Sequence, residues 1–327
     1  MAVFVVSIPI VLVVLVVFVG VVFALFVLIR KGTNQHVSGI VETGLKAVDL
    51  FVPIPLGGDV LLSGEPHAGV RVLGTELAFR LANSPRQPFR VIMFLDSELD
   101  DLENVCKELR ETLPMVKQIF IAPVVTAEDI RQQRVQASVF KQDALFAISK
   151  NARFLHEFRQ AVKSDRQSSQ SAAALTTFTV TESLSPEGFE AKLISSSLLA
   201  KEAVYPALDL RHSFSSASSL PGVKARRQRV ANSVRTAVVE VLENLHPGAL
   251  NDESWSFNAD PAKRAAVQAI RFMSQPYFTA EPYTGLKSAN VPVADTIKNF
   301  EAILSGRFLD RPPRSFQFQN ALPPKTS

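Results

Sequence analysis

Gly58-Asp-Val-Leu-Leu-Ser-Gly64-Glu-Pro-His-Ala-Gly69-Val-Arg71 is the stretch on which the fold turns. Asp59–Ser63 has the length and apolar centre of a strand buried on both faces. A short loop with a glycine at each end follows, and Arg71–Ala82 then carries helical spacing. The same alternation continues downstream. Arg90–Asp96, 118–123, 144–148 and 175–181 read as strands, and 99–113, 152–163 and 189–201 as helices. Strands alternating with helices predict an α/β fold on a parallel sheet with crossover helices.

Working outward, residues 164–174 are rich in Ser and Gln and read as a flexible loop, and a second Ser-rich loop covers 213–222. Beyond it the pattern is helical, over Arg229–Leu245, Pro261–Met273 and Val293–Leu304. The tail after Arg311 is Pro-rich and reads as extended. The expected organisation is therefore 1–32 as a membrane anchor, 33–222 as an α/β domain, and 223–327 as a helical domain with its tail.

The anchor rests on Ala2–Ile29, which is apolar except for Ser7 and is interrupted only by Pro9 and Gly20. In a helix it is long enough to cross a hydrocarbon core of roughly 30 Å. It lacks the basic start, short apolar run and small-residue cleavage site of a secretory signal. Arg30 and Lys31 follow it and no charged side chain precedes it. The positive-inside bias then predicts a single-pass protein with its N-terminus outside and its body cytoplasmic or on the matrix-equivalent side. The bilayer is thus an expected partner.

Over 327 residues the net charge of +4 is diffuse. The one dense basic patch, Lys224–Arg229, lacks interleaved aromatics and reads as a solvated helix face, so no nucleic-acid partner is expected. The acidic run Glu98, Asp100, Asp101 and Glu103 reads as a helix start. A single cysteine, Cys106, excludes an internal disulfide framework and reads as a helix packing residue. Five histidines are scattered without ligand spacing, so no metal site is expected.

Four ordered segments carry a resemblance. They are Glu42-Thr-Gly-Leu-Lys-Ala-Val-Asp-Leu-Phe-Val-Pro53 running into Leu61-Leu-Ser-Gly64, then Val204-Tyr-Pro-Ala-Leu-Asp209, Arg271 to Gly285, and Asp295 to Gly306. Together they resemble the catalytic beta subunit of rotary F-type ATP synthase. The resemblance covers about Gly39 to Phe318 and is weak from Pro85 to Pro186. It implies a RecA-like P-loop NTPase-type parallel sheet followed by a helical domain. The apolar segment is expected to stand in place of the family's N-terminal β-barrel.

A working phosphate loop reads G-x-x-x-x-G-K-[ST]: backbone N–H groups cradle phosphates, the lysine neutralises charge, and the hydroxyl holds magnesium. Here Gly64 and Gly69 persist, Val70 takes the lysine position and Arg71 the hydroxyl position. Arg71 is either a substitute phosphate partner or a structural ion pair. Pro66 removes one donor and Glu65 adds negative charge. The resemblance also puts Ser149 where an aspartate partners magnesium, and either Ser97 or Glu98 where a glutamate positions water. It assigns Tyr205, Tyr277, Ala280 and Tyr283 to an adenine pocket; the alternative is that they only pack the joint between two domains. No catalytic residue is expected to survive.

The expected function is that of a catalytically inactive, membrane-anchored beta-like protein with a structural or assembly role, partnered by ATP synthase-like subunits or other proteins of a membrane complex. The alternatives are a residual nucleotide sensor or weak ATPase, and a structural protein with an unrelated partner. ATP or ADP, if bound, is expected to be held weakly and without magnesium.

Overall fold

The computed structural model describes residues 39–85, 89–96, 119–124, 145–169, 174–182, 188–221, 223–252, 254–255 and 259–323. The apolar segment 2–29, the expected helix 99–113 with Cys106, and both Ser97 and Glu98 lie outside these residues. Among the described residues no helix is long and apolar enough to cross a membrane.

Nine strands are described: β1 (Gly39–Val41), β2 (Ile54–Leu56), β3 (Gly58–Gly64), β4 (Arg90–Asp96), β5 (Ile119–Val124), β6 (Leu145–Ser149), β7 (Leu175–Thr181), β8 (Ala191–Ser195) and β9 (Phe214–Ser215). β1 and β2 pair antiparallel, and the other seven form one sheet in the order β5-β4-β6-β7-β3-β8-β9. Every pair in that sheet is parallel except β8 with β9. β3 sits between β7 and β8, with Leu61 opposite Thr179 and Lys192. Only β7 separates β3 from β6, so the loops leaving these two strands emerge at one edge of the sheet.

The described helices are α1 (Lys46–Phe51), α2 (Val70–Ala82), α3 (Ala152–Ser169), α4 (Ser197–Lys201), α5 (Ala225–Glu243), α6 (Pro261–Met273), α7 (Glu281–Thr284) and α8 (Val293–Leu304). The period of two along each strand divides the apolar residues between two cores. Val91, Met93, Phe146 and Ile148 join Leu73, Leu77 and Leu81 of α2 in the larger one. Ile92, Phe94 and Ala147 join Phe154 and Phe158 of α3 in the smaller one. There the Phe94 ring meets Phe154 and Phe158 edge-on at 4.7 and 5.0 Å. Burial on both faces explains why these strands read as unbroken apolar runs.

Residues Ser38–Ser327 form one compact unit. Within it α5, α6 and α8 pack on one another and on α1. The helices expected at 261–273 and 293–304 are present with those bounds. Asp260 caps α6, its carboxylate accepting from the N–H groups of Ala262 and Lys263, and Pro261 fills the first helical position.

Several expectations need correction. The helix expected at 189–201 is instead β8 followed by the one-turn α4. Ala191–Ser195 pairs with β3, and the need to satisfy the backbone along β3 overrides a five-residue stretch of ambiguous period. α3 continues through Ser169, into the expected loop, because a helix already nucleated and docked through Phe154, Phe158 and Val162 gains one backbone bond for each residue it adds. The second Ser-rich loop contains β9 and a turn of 3₁₀ helix at 216–219. The tail also makes a 3₁₀ turn, at 313–316, which buries Pro313 and Phe316. In the basic patch Arg226 and Arg229 are exposed as expected, but Arg227 is buried.

Candidate functional site

The loop Gly64–Arg71 leaves the end of β3 and enters α2, the place where open parallel sheets receive ligands. Gly64 has no alternative residue: a Cβ there would lie 2.5 Å from the Ser195 carbonyl oxygen of the neighbouring strand. Gly69 stands before α2 in the left-handed region, at φ 76°, where glycine is strain-free. His67 also takes a left-handed φ of 66°. Of the loop's donors, Pro66 has none to give and the Ala68 N–H is spent on the Glu65 carbonyl at 3.1 Å. The Glu65 carboxylate accepts a hydrogen bond from the Ser197 hydroxyl.

Val70 opens α2 with its side chain in the larger core, 5% exposed. It faces inward. Arg71 is exposed and already interacts with other groups. Ser149 ends β6 and is buried, and its Oγ accepts from the Asn151 N–H at 3.1 Å, turning back on its own chain. A pocket of ≈ 760 Å³ opens at this edge, with Glu65, His67, Arg71, Lys150, Thr181 and Glu182 among its lining residues. Lys150 and Glu182 follow the ends of β6 and β7, and only the folded sheet brings them to the loop.

The aromatic residues are assembled in part. Tyr205 and Tyr277 meet edge-on at 6.5 Å. The Gln275 N–H donates to the Tyr205 carbonyl at 2.7 Å and ties their segments together. Tyr205 also reaches the loop: its Cε1 lies 3.8 Å from where a Cβ on Gly69 would stand. Its hydroxyl donates to the Ala200 carbonyl at 3.1 Å. Burial drives the Tyr277 hydroxyl well above its ordinary pKa, with Glu76 adding to the effect. Ala280 is half-buried against the core. Tyr283 is 69% exposed and does not join the other rings.

Sequence reading did not find the network that holds this arrangement. Glu76 and Arg80, one helical turn apart on α2, form a fully buried ion pair at 2.6 Å. Glu76 accepts from the N–H groups of Phe278 and Thr279, both at 3.0 Å, and from the Thr279 hydroxyl at 2.9 Å. Arg80 donates to Ser288 Oγ, Asn290 Oδ1 and the Ala289 carbonyl. Burial draws the Arg80 guanidinium below its ordinary pKa against the opposing pull of Glu76. Segment 276–290 is thereby fixed to the helix that begins at the loop. The only signal in the sequence was the i, i+4 spacing of opposite charges, which equally describes a surface pair.

Gln275 extends the network. Its Oε1 accepts from the Lys46 N–H at 2.9 Å, and its Nε2 donates to the Gly44 and Ala289 carbonyls. The Lys46 ammonium is buried over the Phe272 ring, donates to the Ser274 and Gln319 carbonyls, and is drawn down to about 7 by desolvation. Asp49 accepts from Thr43 and Gly44 and is pushed up to about 6 by burial.

A sheet whose loop after β3 meets a tyrosine from 205, under a segment clamped at 276–290, brings three of the resembling segments to one place. The chain is similar to ATP synthase subunit beta. With that protein from Coprothermobacter proteolyticus it is 25% identical over 328 aligned positions, covering 85% of this chain and 71% of the other. No protein-family model matches it. The likeness thus extends along most of this chain.

Proposed function

We propose that this chain is a beta-like protein that does not hydrolyse ATP and serves as a structural or assembly component of an F-type ATPase or ATP synthase-like complex, tethered to a membrane by residues 2–29. The burial of Val70 carries the proposal. Where an ammonium would reach over the phosphates, this chain turns a methyl-bearing side chain into the core. Phosphoryl transfer depends almost wholly on positioning and charge stabilisation, and a valine supplies neither.

The residues present do not fit a magnesium–ATP complex. Ser149 offers only a neutral oxygen, already engaged with Asn151, and the buried Val70 offers no cation to the phosphates. A beta-like surface retains its use in assembly, since subunits of a ring meet through repeated faces independent of their own chemistry. The partners are other subunits of the complex and the bilayer, and no nucleic acid is involved.

Co-purification from detergent-solubilised native membranes tests the proposal. Recovery of rotary ATPase subunits with the chain is the expected result. Recovery of none, together with hydrolysis that is lost on Arg71→Ala, would replace it with the reading of an enzyme.

A second reading, a weak nucleotide sensor, is favoured by one observation: Tyr205 lies against Gly69, so an aromatic face borders the loop. Adenine stacking would then supply most of the affinity for ATP or ADP, with little help from magnesium.

A further inference from the structure

A second concavity, of ≈ 880 Å³, shares no residue with the phosphate-loop pocket. Its volume falls in the range of small-molecule sites, roughly 300–1,000 Å³. One wall is a stripe of α5 in which Arg227, Ala231, Arg235 and Val239 recur every four residues. The other is segment 210–219, carrying Arg211 and four serines.

The charges in this groove are unevenly matched. Arg211 is neutralised by a bidentate pairing with Asp209, at 2.7 Å at the closest. Arg227 donates instead to the Asp49 carbonyl, and Arg235 to the carbonyls of Leu210, Ser213 and Phe51. Carbonyl oxygens fix a guanidinium in place without a direct ion pair; Asp49 and Glu42 act on Arg227, and Asp209 on Arg235, only through space. The Asp49 carboxylate is turned to Thr43 and Gly44, and Glu243, at the last turn of α5, is the one carboxylate among the lining residues. Two partly desolvated guanidiniums with no direct carboxylate contact, two turns apart on one helix face, therefore line a groove with hydroxyl-bearing residues opposite.

We propose that this groove binds a phosphate-bearing anion, with Arg227 and Arg235 supplying the charge and the hydroxyls of Ser218 and Ser219 supplying neutral donors, those of Ser213 and Ser215 being spent on the Ile194 and Pro53 carbonyls. A phosphate group carries about −1.5 to −2 charges at neutral pH, which matches two guanidiniums better than a single carboxylate does. The bland alternative is that both arginines only pin backbone carbonyls. Pinning alone predicts no ligand.

The experiment titrates the full-length chain in detergent with inorganic phosphate and, separately, with a short-chain phosphatidic acid, by calorimetry. Saturable binding is expected, weakened about tenfold in Arg235→Gln by loss of a charge-assisted contact. Because Arg235 also holds three carbonyls, Asn232→Glu serves as the second variant. Asn232 is exposed on the groove wall, and a carboxylate there repels the anion while leaving the fold intact. Binding of inorganic phosphate assigns a soluble ligand, and binding of phosphatidic acid alone assigns a lipid headgroup. Binding of neither, binding that Asn232→Glu leaves unchanged, or binding lost in Arg71→Ala at the phosphate loop would overturn the proposal.

Discussion

The loop at 64–71 and the clamp at 76–80 lie on the same strand-and-helix unit, yet they treat charge in opposite ways. The loop has two glycines and presents little charge of its own at its end: Val70 is buried, and nearby Ser149 accepts from the Asn151 N–H. One turn further along α2, Glu76 and Arg80 are fully buried and satisfied by donors and acceptors on the 276–290 segment. Glycines at 64 and 69 answer to a neighbouring strand and to a left-handed φ, constraints that outlast any ligand. A lysine at position 70 would answer only to a phosphate. The difference teaches that architecture and chemistry in a nucleotide-type fold rest on different residues.

Four experiments test this contrast. The largest effect is expected at the clamp. Glu76→Ala leaves the Arg80 guanidinium buried without its counter-ion, which costs about 3–5 kcal/mol. Denaturant unfolding measures the loss, and a change below about 1 kcal/mol, the range of an exposed pair, would remove the distinction between clamp and surface pair.

The second concerns pH and the two buried groups of α1. Lys46 titrates near 7 when folded against an ordinary 10.5, so between those values the unfolded chain holds the extra proton. Its contribution to stability therefore rises with pH over that window. Asp49 titrates near 6 against an ordinary 3.8, so there the folded chain holds the extra proton. Its contribution falls as pH rises from about 3.8 to about 6. Together they place a floor of stability between about 6 and 7, rising on both sides. Lys46→Met is expected to flatten the alkaline limb and spare the acidic one, as read from unfolding midpoints across the pH range.

A smaller effect is expected at the aromatic border. If adenosine binds, Tyr205→Ala weakens it by about 1–3 kcal/mol, the worth of stacking one base on an aromatic ring. Tyr283→Ala is expected to change little, because that ring stands in solvent. Equal losses in the two variants would mean that the segment closes over the ligand.

No effect at all is expected from the fourth. Val70→Lys combined with Arg71→Thr restores the loop's motif, but Ser149 still lacks a carboxylate for magnesium. A phosphate-release assay on the purified double variant checks this, and magnesium-dependent turnover would show that the loop alone had silenced the site.

Much of the fold was legible because period and length survive reading in one dimension. The strands at 90–96 and 175–181 and the helices at 261–273 and 293–304 have the expected bounds, each framed by breakers or caps. β8 was not legible, since five residues of mixed period become a strand only when β3 lies beside them. Of the candidate site, the sequence supplied the loop, Ser149 and the tyrosines from their motifs. It did not supply Lys150 or Glu182, which follow ordinary strand ends and carry no pattern of their own.

By itself, then, the sequence determined which groups the chain has to offer: two loop glycines, no lysine between them and a helix, and no carboxylate at 149. Those are facts of identity, and no fold alters them. Tertiary structure alone decided how the groups are used, because burial and partnership depend on neighbours distant in the chain. It turned Val70 inward, left Tyr283 in water, and buried Lys46 over the Phe272 ring. It also made Glu76–Arg80 a clamp across about 200 residues, where the same pair on an open helix face would be worth a few tenths of a kcal/mol.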